Sequence, residues 1–302
     1  LILISCNKED LIVPKLNNKG SEFISAVDIS SYPEISNLNP IFYDLDENQK
    51  NFLLILKENG INTVRLRLWV NPTNEHSGFN EVKQFSETLK ANGFKTWLTL
   101  HYSDSWADPE HQDTPTQWQE ISFTTLKDSV FNYTKRVVTE LEPNYIQIGN
   151  EINSGFLHPY GHISNNHQNF IELMKMGISA VRTNSNITKI ILHFAGIDNS
   201  DWFFNQVSTL DYDIIGLSYY PIWHGKSLEN LKTKMELLSN GKAINLLTLL
   251  LGKTKHYLIL TIKHYPYSAN LKLNKTPSFE SSDSVINTNK KASYFYKVFI
   301  ER

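Results

Sequence analysis

One feature constrains this chain more than any other: short apolar runs of strand character recur along it. Each is followed by a longer segment whose apolar residues return at three- and four-residue spacing. The pattern predicts strands at Phe23–Ile29, Thr63–Val70, Lys95–Tyr102, Tyr145–Gly149, Lys189–Phe194 and Asp213–Tyr219, with a seventh at Ile244–Leu251. It predicts helices at Gln49–Asn59, Glu81–Asn92, Phe123–Glu140, Gln168–Thr183 and Leu228–Leu238, where Leu53, Leu56, Val130 and Val137 lie on apolar stripes. Breakers stand where helices must stop, at Gly60, Gly93, Pro143 and Gly241. Strand and helix alternating at this spacing give parallel strands joined by crossover helices. More than six such units favour an α/β fold of the closed (β/α)₈ barrel type over an open doubly wound sheet. No glycine-rich phosphate loop follows any strand, which argues against nucleotide binding.

The 302 residues suffice for one barrel of about 250 residues, and 40% hydrophobic with 20% charged residues describes an ordinary globular body. A formal net charge of −2 offers no steering field for nucleic acid, so none is expected as a partner. The single cysteine excludes an intrachain disulfide. Its setting, Leu1-Ile2-Leu3-Ile4-Ser5-Cys6, resembles the lipobox at the end of a bacterial lipoprotein signal peptide. Cys6 is therefore the expected lipidation site and membrane anchor, with a polar tether to Gly20 and a location at the cell envelope. No other run of about 20 apolar residues exists to span a bilayer. The expected organisation is a signal remnant and tether at 1–20, a barrel domain at 21–242 and an aberrant segment at 243–302. Residues 1–240 carry an acidic excess and 241–302 a basic one. No carboxylate lies between Glu236 and Glu280, no glycine follows Gly252 and no tryptophan follows Trp223. A barrel cannot easily make its last turns without glycine, so the final unit is expected to be incomplete, as after a frameshift.

Active residues of such barrels sit at the carboxyl ends of the strands. The second predicted strand ends Arg65-Leu66-Arg67-Leu68-Trp69, and the third ends His101-Tyr102-Ser103-Asp104 with Trp106 and Asp108 following. The fourth ends Gly149-Asn150-Glu151, and the sixth ends Ser218-Tyr219-Tyr220 with Trp223 and His224 following. Asn-Glu closing an apolar strand is the strongest signal. A glycosidase acid must hold its proton until it donates, and a neighbouring Asn can bind a sugar hydroxyl as charge develops. Arg65 and Arg67 share one face of their strand, and the one nearer the strand end, Arg67, is the candidate for orienting a catalytic carboxylate. His101 suits a sugar or an inner carboxylate, or a satisfied place in the core. Trp69, Trp106 and Trp223 suit sugar faces as well as packing. His158, His162 and His167 lack metal-ligand spacing, and no cofactor is expected.

Several long motifs together resemble the endo-β-1,4-galactanases of glycoside hydrolase family 53. They are Asp44-Leu45-Asp46, the run from Gly60 to Pro72, the run from His101 to Pro109, Gln147 to Asn153, and Asp211 to Gly225. The resemblance covers roughly residues 23–242. It implies a TIM barrel, retaining hydrolysis of β-1,4-galactan in pectic arabinogalactan, and Glu151 as proton donor. It also implies Asn150, Arg67, His101 and Tyr219 as supports of the site. The same family carries its nucleophile as a Glu at the end of the seventh strand. In this chain the matching stretch is Gly252-Lys253-Thr254-Lys255-His256-Tyr257, with Lys253 in the place of the glutamate. The Asn/Asp-rich loop that follows in the family, and carries calcium in some members, is not visible in this sequence. The expectation is an impaired enzyme. The alternatives are a non-catalytic glycan-binding lipoprotein on the same barrel and a sister barrel acting on mannan or cellulose, the last disfavoured by the run from Asp211 to Gly225.

Overall fold

Each of the seven apolar runs becomes a strand in a computed structural model of the chain, which describes residues 24–44, 46–225, 227–239, 243–251 and 258–265. The first half runs β1 (Ser25–Asp28), α1 (Tyr32–Ser36), α2 (Phe52–Glu58), β2 (Thr63–Leu68), α3 (Phe79–Ala91), β3 (Lys95–Leu100), α4 (Phe123–Leu141) and β4 (Tyr145–Ile148). The second half runs α5 (His167–Asn184), β5 (Lys189–Ala195), α6 (Ser200–Gln206), β6 (Ile214–Tyr219), α7 (Pro221–His224), α8 (Leu228–Leu238), β7 (Ala243–Leu251) and β8 (Leu258–Tyr265). Strands β1 to β7 pair in parallel with their sequence neighbours, and the sheet closes in chain order. Short helices α1, α6 and α7 escape a periodicity reading because so few residues hardly complete an amphipathic repeat.

The last strand departs from the all-parallel pattern. β8 runs antiparallel to both β7 and β1. A parallel return needs a crossover of a dozen or more residues, and only 252–257 separate β7 from β8. Among the described residues the sheet thus closes through an antiparallel β8 where a complete barrel unit would supply a parallel strand. Cys6 and the 1–20 segment, Lys253, and residues 266–302 lie outside the described residues.

Two cores form because strand side chains alternate. Outward residues such as Leu66, Leu98, Ile148 and Leu192 pack under the helices against Leu89, Leu126, Val130, Leu173 and Val181 in one continuous cluster. Inward residues Ala26, Trp97, Ile191 and Ile214 plug the barrel interior in a second, smaller one. Helix entry is fixed locally: the Asn51 side chain accepts the Leu53 and Leu54 amides, and Ser122 and Ser227 cap α4 and α8. Among the described residues no helix is long and apolar enough to cross a membrane.

Leu126 on α4 is fully buried in the outer cluster. Leu126→Ala should cost about 2–5 kcal/mol. Equilibrium urea unfolding reads this as a lower midpoint at unchanged slope, whereas an unmoved midpoint would mean that α4 does not seal the barrel as described.

Candidate active site

Above the apolar plug, toward the carboxyl ends of the strands, the barrel interior turns polar. Asp28, Arg65, Gln147, His193 and Ser218 are all buried there. A guanidinium in such a place needs charge and acceptors. Arg65 donates to Asp28 at 2.5 Å, to Asn150 Oδ1 at 2.9 Å and to Gln147 Oε1 at 3.3 Å. Ser30 ties the other Asp28 oxygen through its hydroxyl at 2.6 Å and its amide at 3.0 Å. Asn150 is further held through its Nδ2 on the Ala107 carbonyl at 2.8 Å. Asp28 at the end of β1, Arg65 within β2 and Asn150 just past β4 are thereby locked to one another.

After β4 the chain leaves the sheet through two left-handed residues, Gly149 at φ 79° and Glu151 at φ 48°. Gly149 takes this conformation freely, while at Glu151 it costs about 1–2 kcal/mol. The amide of Glu151 is captured by His193 Nδ1 at 3.1 Å. The same Nδ1 receives the Gln147 Nε2–H at 3.0 Å. Two donors on one ring nitrogen make it an acceptor, so the His193 proton sits on Nε2. From there it is donated to Ser218 Oγ at 2.8 Å. Burial, reinforced by Arg65, holds this imidazole well below its ordinary range, and it stays neutral. Ser218, having accepted from His193, keeps its own hydroxyl proton beside the Glu151 carboxyl, whose ionised form it favours. Tyr220 donates to Glu151 Oε1 at 2.7 Å. Gly216 makes room for this relay: a Cβ there would lie 3.1 Å from Ile191 and 3.3 Å from His193.

Glu151 is 7% exposed. Burial pushes its carboxyl above the usual range and outweighs the Tyr220 and Ser218 hydrogen bonds and the Arg65 charge, which act downward. The result is a carboxyl that keeps its proton longer than an exposed glutamate, the property a general acid requires.

The other residues anticipated from the sequence divide. Arg67 points inward, but its partners are Ser77 at 2.8 Å and Ser31 at 3.3 Å, with its guanidinium over the rings of Trp69 and Trp106. Among the described residues it pairs with no carboxylate, and the orienting ion pair belongs to Arg65. His101 is buried and neutral. Its Nδ1 accepts the Ala107 amide at 3.0 Å and its Nε2 has no partner among the described residues. It lies edge-on to Trp69 and Trp106. Trp106 and Trp223 are 41% and 65% exposed, so both rings are open to a ligand, and Trp223 abuts Tyr220. Tyr219 faces the outer core and bonds the Gly225 carbonyl, while its neighbour Tyr220 faces inward to Glu151. Period-2 alternation separates the two by a single residue. Asp104 and Asp108 serve their loop: Asp104 accepts from Asn71 and Thr116, and Asp108 from Glu110 and His111. His158 and His162 stack on each other, and no group of three or more metal-binding side chains occurs among the described residues. The stretch where the resemblance would place a calcium loop lies outside them. Asp28, Gln147, His193, Ser218 and Tyr220 were not singled out from the sequence. Only the inward parity of Ser218 and Tyr220 relative to Gly216 could have pointed to them.

The model of Glycosyl hydrolase family 53 matches residues 24–249. An endo-beta-1,4-galactanase of Bacillus subtilis is 33% identical over 257 residues, covering 78% of this chain and 58% of that protein. Arabinogalactan endo-beta-1,4-galactanase A of Emericella nidulans is 34% identical over 240 residues, covering 73% and 67%. The chain therefore spans roughly three fifths to two thirds of these curated relatives. The catalytic domain of an Ignisphaera aggregans member of the same family superposes with a TM-score of 0.70 at 32% identity, covering 77% of this chain and 70% of that one.

The state of Glu151 has a consequence for stability. A carboxyl whose pKa is raised by folding binds its proton more tightly folded than unfolded, so stability falls as pH rises past the ordinary carboxylate value. Glu151→Gln removes the ionisable group and should melt higher than the parent at pH 7. The gain should shrink as pH is lowered toward about 4. Thermal melts across that range test it, and a shift independent of pH would remove burial as the cause.

Proposed function

The chain belongs to glycosyl hydrolase family 53, and from that membership we propose that its barrel is built to cleave β-1,4-galactan with Glu151 as proton donor. The observation that carries this reading is the buried Glu151 carboxyl, held by Tyr220 beside an Asn150 that Arg65 fixes in place. Retaining hydrolysis needs one carboxylic acid to protonate the leaving oxygen, and a second carboxylate about 5–5.5 Å away to take the sugar as an ester. Glu151 supplies the first. As the bond to the leaving oxygen breaks, its proton passes to that oxygen, and in the second step the same group takes a proton from the attacking water. Asn150 spends one N–H on Ala107, leaving the other for a sugar hydroxyl near the reacting carbon. His101 Nε2–H is a further unspent donor, and Trp106 and Trp223 offer exposed rings, with Trp69 behind the Arg67 guanidinium.

A specific feature favours a second reading for the chain as it stands. By resemblance Lys253 stands where the nucleophilic glutamate belongs, and no Asp or Glu occurs from residue 237 through 279. Lysine cannot form the glycosyl ester on which retention depends. The cleft then binds galactan and turns it over slowly or not at all. The Leu3-Ile4-Ser5-Cys6 run supports lipid anchoring at the cell envelope, where such a glycan-holding protein would meet plant cell-wall polysaccharide. In a strain that processes lipoproteins, with a full signal peptide supplied, the product should be found with membranes and Cys6→Ala should release it. A wild-type product that stays soluble contradicts the anchor.

The decisive incubation is of the purified chain with β-1,4-galactan, following both binding and new reducing ends. Binding with little or no release is the expected outcome. If release is brisk, Glu151→Gln should reduce it by about 10²–10⁴-fold. Brisk release indifferent to that substitution defeats the assignment of Glu151.

A further inference from the structure

Glu151 stands at the end of β4, between two differently built flanks of the sheet. On the β2 and β3 side lie Arg67, Trp69, His101 and Trp106. On the β5 side a cleft of about 480 Å³ opens, lined by Asn153, Phe194, Asp198, Asn199 and Trp202. Its floor is fixed. The Asn153 side chain gives its Nδ2–H to the Ala195 carbonyl and takes the Ala195 amide, both at 2.8 Å, clasping the loop after β4 to the end of β5. Phe194 packs on Phe203 and Phe204 beneath. Trp202 stands on α6 with 46% of its surface open, although its neighbour Phe203 is fully buried. Helix α6 itself is tied to α8 by the Lys234–Asp201 pair at 2.7 Å. The two polar heads of the cleft are uncommitted: the exposed Asp198 and Asn199 side chains have no hydrogen-bond or salt-bridge partner among the described residues.

We infer that this cleft is a second sugar-binding subsite, taking a galactose ring of the same polysaccharide beyond the linkage held at Glu151. The inference rests on the galactan reading above and goes further than it, because none of these five residues has a part in the catalytic arrangement. The chemistry fits a pyranose. An open indole face accepts the C–H face of a sugar ring, and the axial O4 of galactose gathers its C3, C4 and C5 hydrogens on one such face. An uncommitted carboxylate accepts two vicinal hydroxyls in charge-assisted hydrogen bonds, and an amide supplies both a donor and an acceptor. A polymer crossing Glu151 from the Trp69 and Trp106 flank would reach this cleft on its way out, which suits cleavage or capture within a chain over capture at an end.

Calorimetric titration with β-1,4-galacto-oligosaccharides from galactobiose to galactohexaose tests this without requiring turnover. The parent should bind more tightly as the oligosaccharide lengthens. Trp202→Ala and Asp198→Asn, each checked for an unchanged melting temperature, should bind galactobiose as the parent does. Both should lose roughly five- to tenfold in affinity for the longest ligands. Variants that match the parent at every length overturn the subsite while leaving galactan binding intact. A parent that binds none of the series overturns the galactan reading itself, and the subsite with it.

Discussion

The structure depends first on a buried cation. Arg65 is 4% exposed in the barrel interior, where an unpartnered guanidinium would be too costly to keep. Its neutralisation by Asp28 ties β1 to β2, and its remaining hydrogen bonds run to Gln147 and Asn150 on the fourth strand and its exit. Losing one partner leaves a buried charge, so the pair is a condition for the site more than a source of net stability. Asn150 is immobilised as a consequence, and Glu151, the next residue, inherits its position.

From that anchor the hydrogen bonds around Glu151 acquire a direction. His193 cannot donate from Nδ1, which is taken by two N–H groups, so it must donate from Nε2 to Ser218. Ser218 is left with a free proton beside the Glu151 carboxyl, to which Tyr220 donates. Both hydroxyls favour the ionised carboxylate, and burial opposes them and prevails. The balance leaves an acid whose proton is held more tightly than an ordinary carboxylate's yet has two hydroxyls beside it, Tyr220 and Ser218, ready to steady the anion once the proton has gone. That combination suits a group which must give up a proton and recover it within one catalytic cycle.

Much of this was legible in the sequence because period-2 and period-3.6 patterns are local. Strands β2 to β6 fall within a residue or two of their predicted bounds, and Asn150-Glu151 stands out because it closes the fourth apolar strand at the barrel end where active residues sit. What was not legible was contact between strands. Choosing Arg65 over Arg67 required knowing that Asp28, 37 positions away, faces the same interior. Tyr219 and Tyr220 differ by one step in register, and choosing Tyr220 required carrying the inward parity of Gly216 to the strand end. His193 sits within Ile190-Ile191-Leu192-His193-Phe194, where a lone histidine reads as core filling. The antiparallel β8 was hidden for a different reason: its direction follows from the shortness of 252–257, which weighs on topology and not on composition.

The central claim is that this barrel presents Glu151 as a buried acid which retains its proton. Its most direct test is the carboxyl ¹³C resonance of Glu151 in protein made with labelled glutamate, assigned by its disappearance in Glu151→Gln and followed through a pH titration. An inflection clearly above that of the exposed glutamates in the same spectrum is predicted. An inflection among theirs would mean that burial does not govern this carboxyl, and would contradict its assignment as the proton donor.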